Sequence, residues 1–398
     1  MAIDLEELFI ANGEVLLNGR FTTVDITVRN GRISSLGRIG SNSGSSSPNG
    51  LRLDAAGKKV VPGFIDIHTH GGNGVDVNSA SAADLLQLSR YFAAQGTTGW
   101  LASIVTDSYE KTLRAIGQIR QARAELKSGA QILGIHLEGP FLSREYKGSM
   151  QETLLREADL SLFADYQKAA AGLIKYITVS PEVAGVPELV KELAARGVIV
   201  ALGHSGADYA TTLSCIENGA ASATHTFNAM KLLHQHAPGI CGAVLETDIF
   251  CEAICDGRHL HPGIIRLLLK TKGSAKVIAV TDSIMATGLP DGFYKLGGSS
   301  VKVSAGDARL VEDGTRAGST LTTAKALRNL VAYSGRKLEE VIPLLTANPA
   351  ALLKLDSSKG SIREGGDADL VLLDQCLEVD TTIAGGKVVF RRGTLESF

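Results

Sequence analysis

The order of apolar runs predicts an α/β protein: a (β/α)8 barrel over residues 60–355, joined to a small β module built from both chain ends, 1–59 and 356–398. Three observations carry this expectation. Eight strand-like apolar runs alternate with helical stretches between Val60 and Asp282, the pattern of parallel α/β folds. Six of those runs end in polar residues that bind metals or move protons, and barrel active sites are built at the C-terminal ends of strands. Outside this region, both ends of the chain break into short strands separated by turns.

Taken in order, Glu14–Leu17 and Val24–Val28 read as strands, and Asn30-Gly31 is a hairpin-type turn before the returning strand Arg32–Leu36. Ser41–Gly50 is a serine- and glycine-rich loop. The barrel runs are Val60–His70, Thr97–Val105, Ile132–Glu138, Ile174–Pro181, Val198–His204, Ala221–Phe227, Ile249–Cys255 and Lys276–Asp282. Helices are expected at Ala82–Ala94, Tyr109–Lys127, Val186–Arg196, Ala207–Asn218 and Pro262–Lys270, with helical spacing clearest at Leu85, Leu88, Tyr91 and Phe92. Gly288–Gly318 is a glycine-rich insertion with strands near Ser300–Ser304 and Arg309–Val311. Helices Thr322–Ser334 and Leu338–Leu345 follow, and the tail strands Asp369–Leu373 and Lys387–Phe390 are expected to pair with the N-terminal strands.

Composition narrows the function. At 398 residues, 44% hydrophobic and 21% charged, the chain can bury a large core. A net charge of −2, from 40 basic and 42 acidic residues, argues against a nucleic-acid or acidic-membrane partner. Neither a leader peptide nor a membrane span is expected, and the setting that follows is cytoplasmic. The five cysteines form no compact framework, so Cys251 and Cys255 are read as core thiols.

The first run ends in His68-Thr69-His70, and residues two apart on a strand share a face. The third ends in Glu138, the fifth in His204, the sixth carries His225, Asp256-Gly257-Arg258-His259 follows the seventh, and the eighth closes on Asp282. Each alone has an ordinary reading: Glu138 as a turn carboxylate, His204 and Asp282 as helix caps, His225 as a core histidine. One metal site accounts for all of them together. His68, His70, His204, His225, Glu138 and Asp282 form a nitrogen-rich set suited to zinc or iron, unlike the all-oxygen sets of magnesium and calcium. Such an ion lowers the pKa of bound water to ~7 and polarises a carbonyl, which suits amide hydrolysis, with Asp282 as general base. His136 lies one pleat deeper and is assigned a supporting place.

These residues carry a resemblance. Asp54-Ala55-Ala56-Gly57 through Pro62-Gly63-Phe64-Ile65-Asp66-Ile67-His68-Thr69-His70, with the closing Gly366-Asp367-Ala368-Asp369-Leu370-Val371, resembles the amidohydrolase superfamily. His136-Leu137-Glu138-Gly139-Pro140-Phe141, Gly203-His204-Ser205, Thr224-His225-Thr226-Phe227-Asn228-Ala229-Met230 and Thr281-Asp282-Ser283 resemble its N-acetylglucosamine-6-phosphate deacetylase branch. The resemblance implies an amidohydrolase-type TIM barrel with a small β-sandwich, a homodimer, one or two divalent metals per chain and an amino-sugar phosphate as substrate. It implies Glu138, His204 and His225 as ligands of one ion, His68 and His70 as ligands of a second, and Asp282 as acid/base. It further implies substrate contacts from His259, Asn228, Ala229, Gly318 and Ser319. Two positions depart from the pattern: His236 stands where arginine is usual, and Met150, after Ser149, where many relatives carry a sugar-binding histidine. Histidine lacks the permanent charged fork of arginine, so Lys147 or Lys231 would have to supply the charge. An N-acetylgalactosamine-6-phosphate or unphosphorylated acetamido substrate, or a catalytically silent sugar-binding relative, are the rival readings.

Overall fold

The computed structural model describes residues 7–37 and 50–393; of the loop expected at 41–50, all but Gly50 lies outside them. Eight parallel strands form the barrel: β1 (Phe64–Thr69), β2 (Thr97–Val105), β3 (Gln131–Glu138), β4 (Ile174–Val179), β5 (Ile199–Leu202), β6 (Ser222–Ala223), β7 (Phe250–Ile254) and β8 (Val277–Val280). They pair in sequence order. The seam between β8 and β1 is closed by the backbone: His70 N–H donates to the Ser283 carbonyl at 2.8 Å, and Asp282 N–H to the His68 carbonyl at 2.9 Å.

A helix follows each strand: α1 (Ala82–Ala94), α2 (Tyr109–Glu125), α3 (Leu160–Ala169), α4 (Val186–Ala195), α5 (Tyr209–Glu217), α6 (Gly239–Glu246), α7 (Pro262–Lys272) and α8 (Thr323–Ser334). Helix α1 starts at a capping box between Ser81 and Asp84 and buries Leu85, Leu88 and Phe92. Helices α3 and α6 were not expected from sequence. In α3 the signal was present: Asp159 caps it, and Leu162, Phe163 and Tyr166 form its buried face. Gly-Ile-Cys-Gly-Ala-Val-Leu-Glu of α6 has no side-chain cap and is apolar nearly all round, so it lacks a helical period.

Two expected runs change form. Val60–His70 is two strands, because Lys59–Pro62 joins the small sheet and β1 begins at Phe64. The chain crosses between the sheets at Gly63, where any Cβ would overlap the Thr98 side chain. The sixth run keeps only two residues as strand, because His225, Phe227 and Ala229 have φ of 29°, 78° and 49° and turn the chain across the barrel mouth.

The second sheet draws on both ends of the chain. Its order is Lys387–Arg391, Val379–Ala384, Leu370–Leu373, Lys59–Pro62, Glu7–Leu17, Arg20–Arg29, Arg32–Gly37, with Leu51–Asp54 also pairing on Glu7–Leu17. Val379–Ala384 was missed in the tail. Period-two alternation lets this sheet serve two cores: Val60, Leu370 and Leu372 pack with Leu8, Ile10 and Ile26 in its own interior. Val61, Val371 and Leu373 point the other way and join the barrel core with Phe64 and Trp100. The insertion is a three-stranded antiparallel sheet, Gly292–Leu296, Ser299–Ser304 and Asp307–Leu310, over a small apolar core of its own that includes Met150 and Ile284. Cys215, Cys241, Cys251 and Cys255 are buried free thiols. Among the described residues no helix is long and apolar enough to cross a membrane.

Candidate metal centre and active site

The strand ends bring the six polar residues into two adjoining groups, His68, His70 and Asp282 in one, Glu138, His204 and His225 in the other. Alternation along β1 sets the first pair, whose Nε2 atoms are 3.1 Å apart. Asp282 Oδ1 lies 3.2 Å from His70 Nε2 and 3.6 Å from His68 Nε2. In the second group, His204 and His225 Nε2 are 3.0 Å apart and lie 3.1 and 3.2 Å from Glu138 Oε1. Glu138 Oε2 faces the first group, 3.3 Å from His70 Nε2. One carboxylate thus stands between both groups. His204, His225 and Asp282 hold left-handed φ of 49°, 29° and 49°, which non-glycine residues adopt at a cost of roughly 1–3 kcal/mol.

Whether these donors fit an ion can be asked of the distances and of the histidine tautomers. Bonds of about 2.0–2.2 Å to a shared ion set its ligands roughly 3.0–3.5 Å apart, the spacing found here. A ligating Nε2 must be free of hydrogen, so Nδ1 must carry it and donate it elsewhere. His68 Nδ1 meets Glu252 Oε2 at 2.9 Å, His70 Nδ1 the Ser103 carbonyl at 3.2 Å, and His204 Nδ1 the Tyr146 carbonyl at 3.0 Å. All three partners can only accept. Three of the four histidines are thus locked as ligands, while His225 Nδ1 is buried without a partner among the described residues, and the distances and donor types together fit a divalent transition ion. Electrostatics points the same way. Burial pushes His70 down, but Asp282 and Glu138 outweigh it and raise its pKa to about 9; His68, facing Glu252 and Glu138, is likewise raised well above its usual value. Glu138 and Asp282 are held below the usual carboxylate range by these histidines despite their burial. The two carboxylates thus favour positive charge at the point where the imidazoles meet.

His136 takes no part in the ligand set: Nδ1 is bonded to Ser103 Oγ and Nε2 to Thr178 Oγ1, both at 2.9 Å, and its ring edge packs on His68.

A cavity of about 430 Å³ opens over the two groups and is lined by His70, Glu138, His204, His225 and Asp282 on its floor. Ser149, Met150, Asn228, Ala229, His259 and Gly318 also line it, so most expected substrate contacts are brought together. His259 is oriented by Asp256, whose Oδ2 lies 2.7 Å from Nδ1. Two expected contacts are placed elsewhere. Ser319 is buried behind the wall, where its hydroxyl donates to the Thr281 carbonyl and its N–H to the Asp282 carbonyl, bracing the end of β8. His236 is exposed on the loop after Met230, its ring beside His234, and does not line the cavity. Of the two lysines considered, Lys147 lines the cavity and Lys231 does not.

Sequence reasoning missed Arg316 and Asp313 from the insertion, both on the wall; Arg316 is held by Asp307, with Nε 2.9 Å from Oδ1 and Nη2 3.2 Å from Oδ2. It also missed Glu252, a carboxylate in the middle of the apolar run Phe-Cys-Glu-Ala-Ile of β7. A charged residue in such a run was itself the signal.

This barrel, with imidazoles and carboxylates gathered at the C-terminal ends of its strands, defines a class: the amidohydrolase family model matches residues 59–389, and the chain belongs to that family. Among its relatives is the N-acetylglucosamine-6-phosphate deacetylase of Bacillus subtilis (strain 168), 36% identical over 386 residues, 96% of this chain and 95% of that one. The crystal structure of N-acetylglucosamine-6-phosphate deacetylase from Pasteurella multocida superposes with a TM-score of 0.89 at 30% identity, covering 96% of this chain and 99% of the other. A mutant of the Mycobacterium smegmatis enzyme, in complex with N-acetyl-D-glucosamine-6-phosphate, gives a TM-score of 0.87 at 33% identity, over 96% and 99% of the two chains.

Proposed function

We propose that the chain hydrolyses the acetamido group of N-acetylglucosamine-6-phosphate to glucosamine-6-phosphate and acetate. The observation that carries this reading is the set of six convergent donors, five of them, Asp282 included, on the floor of a cavity, in a chain so similar to enzymes of that activity. The cavity volume is in the range of small-molecule sites.

In this reading Glu138, His204 and His225 hold one divalent ion, His68 and His70 hold a second beside Glu138, and zinc or iron suits the mixed nitrogen and oxygen donors. When bound, the metal would acidify water and polarise the acetyl oxygen. Asp282, kept ionised by His70 and His68, accepts a proton as water adds to the acetyl carbon. It then delivers that proton to the sugar nitrogen as the C–N bond breaks, because an amine leaves well only when protonated. His259, anchored through Nδ1, turns its other ring nitrogen to the acyl group. Lys147 supplies the charge for the phosphate that His236, out on its loop, does not. The homodimer is supported by Leu232 and Leu233, 80% and 56% exposed on that loop, an apolar surface suited to a second copy.

The test is acetate release from phosphorylated and unphosphorylated N-acetylglucosamine by metal-loaded protein. Release from the phosphorylated sugar is expected; none from either substrate would end the proposal.

A further inference from the structure

Strand β7 contributes no residue to the donor set, yet Glu252 at its centre is fully buried. A carboxylate in the interior of a barrel is costly unless its lone pairs are satisfied by strong donors. Here they are satisfied by three, and each donor comes from a different strand region. Oε1 accepts the Tyr176 hydroxyl of β4 at 2.6 Å. Oε2 accepts His68 Nδ1–H from β1 at 2.9 Å and the His225 backbone N–H at 3.0 Å. No lysine or arginine joins them among the described residues.

We propose that Glu252 is the positioning residue of the metal centre, one buried carboxylate that sets the tautomer of His68 and pins the turn carrying His225. The assignment rests on the reading that His68 and His70 hold an ion. Of the three oxygens that lock an Nδ1–H in this centre, two are neutral backbone carbonyls, from Ser103 and Tyr146. Glu252 is the charged one. A carboxylate on Nδ1–H makes the opposite nitrogen a stronger donor than a carbonyl does, so His68 is the ligand whose basicity depends most on its partner. The same oxygen holds the N–H of His225 in a strained backbone conformation. The two groups of donors are thereby linked beneath the cavity, as Glu138 links them at its floor.

Metal-free protein titrated with Zn²⁺ against a chromophoric chelator tests the assignment. The unmodified chain is expected to take up two ions. In Glu252→Gln, whose amide oxygen still accepts but carries no charge, one ion is expected to weaken about 10–100-fold. The other should stay within about threefold, and the melting midpoint of the metal-free variant should stay near that of the parent. The weakened ion should be the one already missing from a His68→Asn/His70→Asn variant, so adding Glu252→Gln to that pair removes no further metal. Tyr176→Phe leaves Oε2 untouched and should alter neither affinity. Unchanged binding of both ions in Glu252→Gln overturns the assignment. Equal weakening of both ions with a lowered metal-free midpoint also overturns it, since that is a merely structural role. If Glu252→Gln does not fold, Glu252→Asp keeps the charge but draws it back from Nδ1, and is expected to weaken the same ion; unchanged affinities there overturn the assignment too. A parent chain that binds a single ion defeats the two-ion reading instead, and the assignment with it.

Discussion

At the scale of single residues, the proposed mechanism separates holding an ion, at Glu138, His204 and His225, from moving a proton, at Asp282. Asp282→Asn keeps the shape of the side chain but cannot carry the proton, so turnover should fall ~10²–10⁴-fold while elemental analysis still finds metal bound. Near-normal turnover would disprove the acid/base role. Replacing both His68 and His70 with asparagine should lower the metal count per chain before it abolishes activity, because Glu138, His204 and His225 remain. Lys147 and Arg316 are both cations on the cavity wall, but Arg316 is already paired with Asp307 on two nitrogens. Lys147, whose ammonium lies 3.5 Å from the Met150 carbonyl and within the field of Asp313 but in no direct ion pair among the described residues, has the charge to offer. Lys147→Ala should therefore raise KM for the phosphorylated sugar about tenfold and leave the unphosphorylated one unchanged; equal effects on both would remove Lys147 from phosphate binding.

At the scale of elements, Gly63 is where the chain passes from one sheet to the other with no space for a methyl group. Gly63→Ala should cost about 1–3 kcal/mol, the usual penalty for overpacking, read as a lower melting midpoint; an unshifted midpoint would mean that the crossing is looser than its packing implies. The same crossing explains what could be read from sequence. Helix α1 and strand β2 were legible to the residue, because cap, period and flanking turns agree. Val60–His70 was not divided correctly, since an apolar run gives no sign that its two halves belong to different sheets. The six donors were legible because each interrupts an apolar strand at the same end. His236 and Ser319 came from resemblance alone, and the structure turns one to solvent and uses the other as a brace. Arg316 and Asp313 were out of reach, since a glycine-rich insertion carries no period from which its direction over the barrel could be read.

At the scale of the whole molecule, the two chain ends are fastened through Lys58 and Asp380, 2.8 Å apart. Burial raises the pKa of Asp380, but Lys58 and the Thr381 hydroxyl outweigh it and the net shift is downward. A depressed carboxylate adds stability at any pH above its unfolded value near 3.9 and loses it as pH falls through the lower folded value. The difference in urea stability between the parent and Asp380→Asn should thus be constant from about pH 8 to 5, at no more than about 1 kcal/mol, and close below about pH 4. A difference that persists in stronger acid would show that the ion pair is not its source. The seam of the barrel has a consequence for a chain still being synthesised. Asp282 reaches the centre only when β8 docks on β1, through the same two backbone hydrogen bonds that close the barrel. A nascent chain whose eighth strand has not yet left the ribosome already contains the five other candidate donors. On the proposed mechanism it could not turn over substrate, because its proton carrier arrives with the last stave of the barrel.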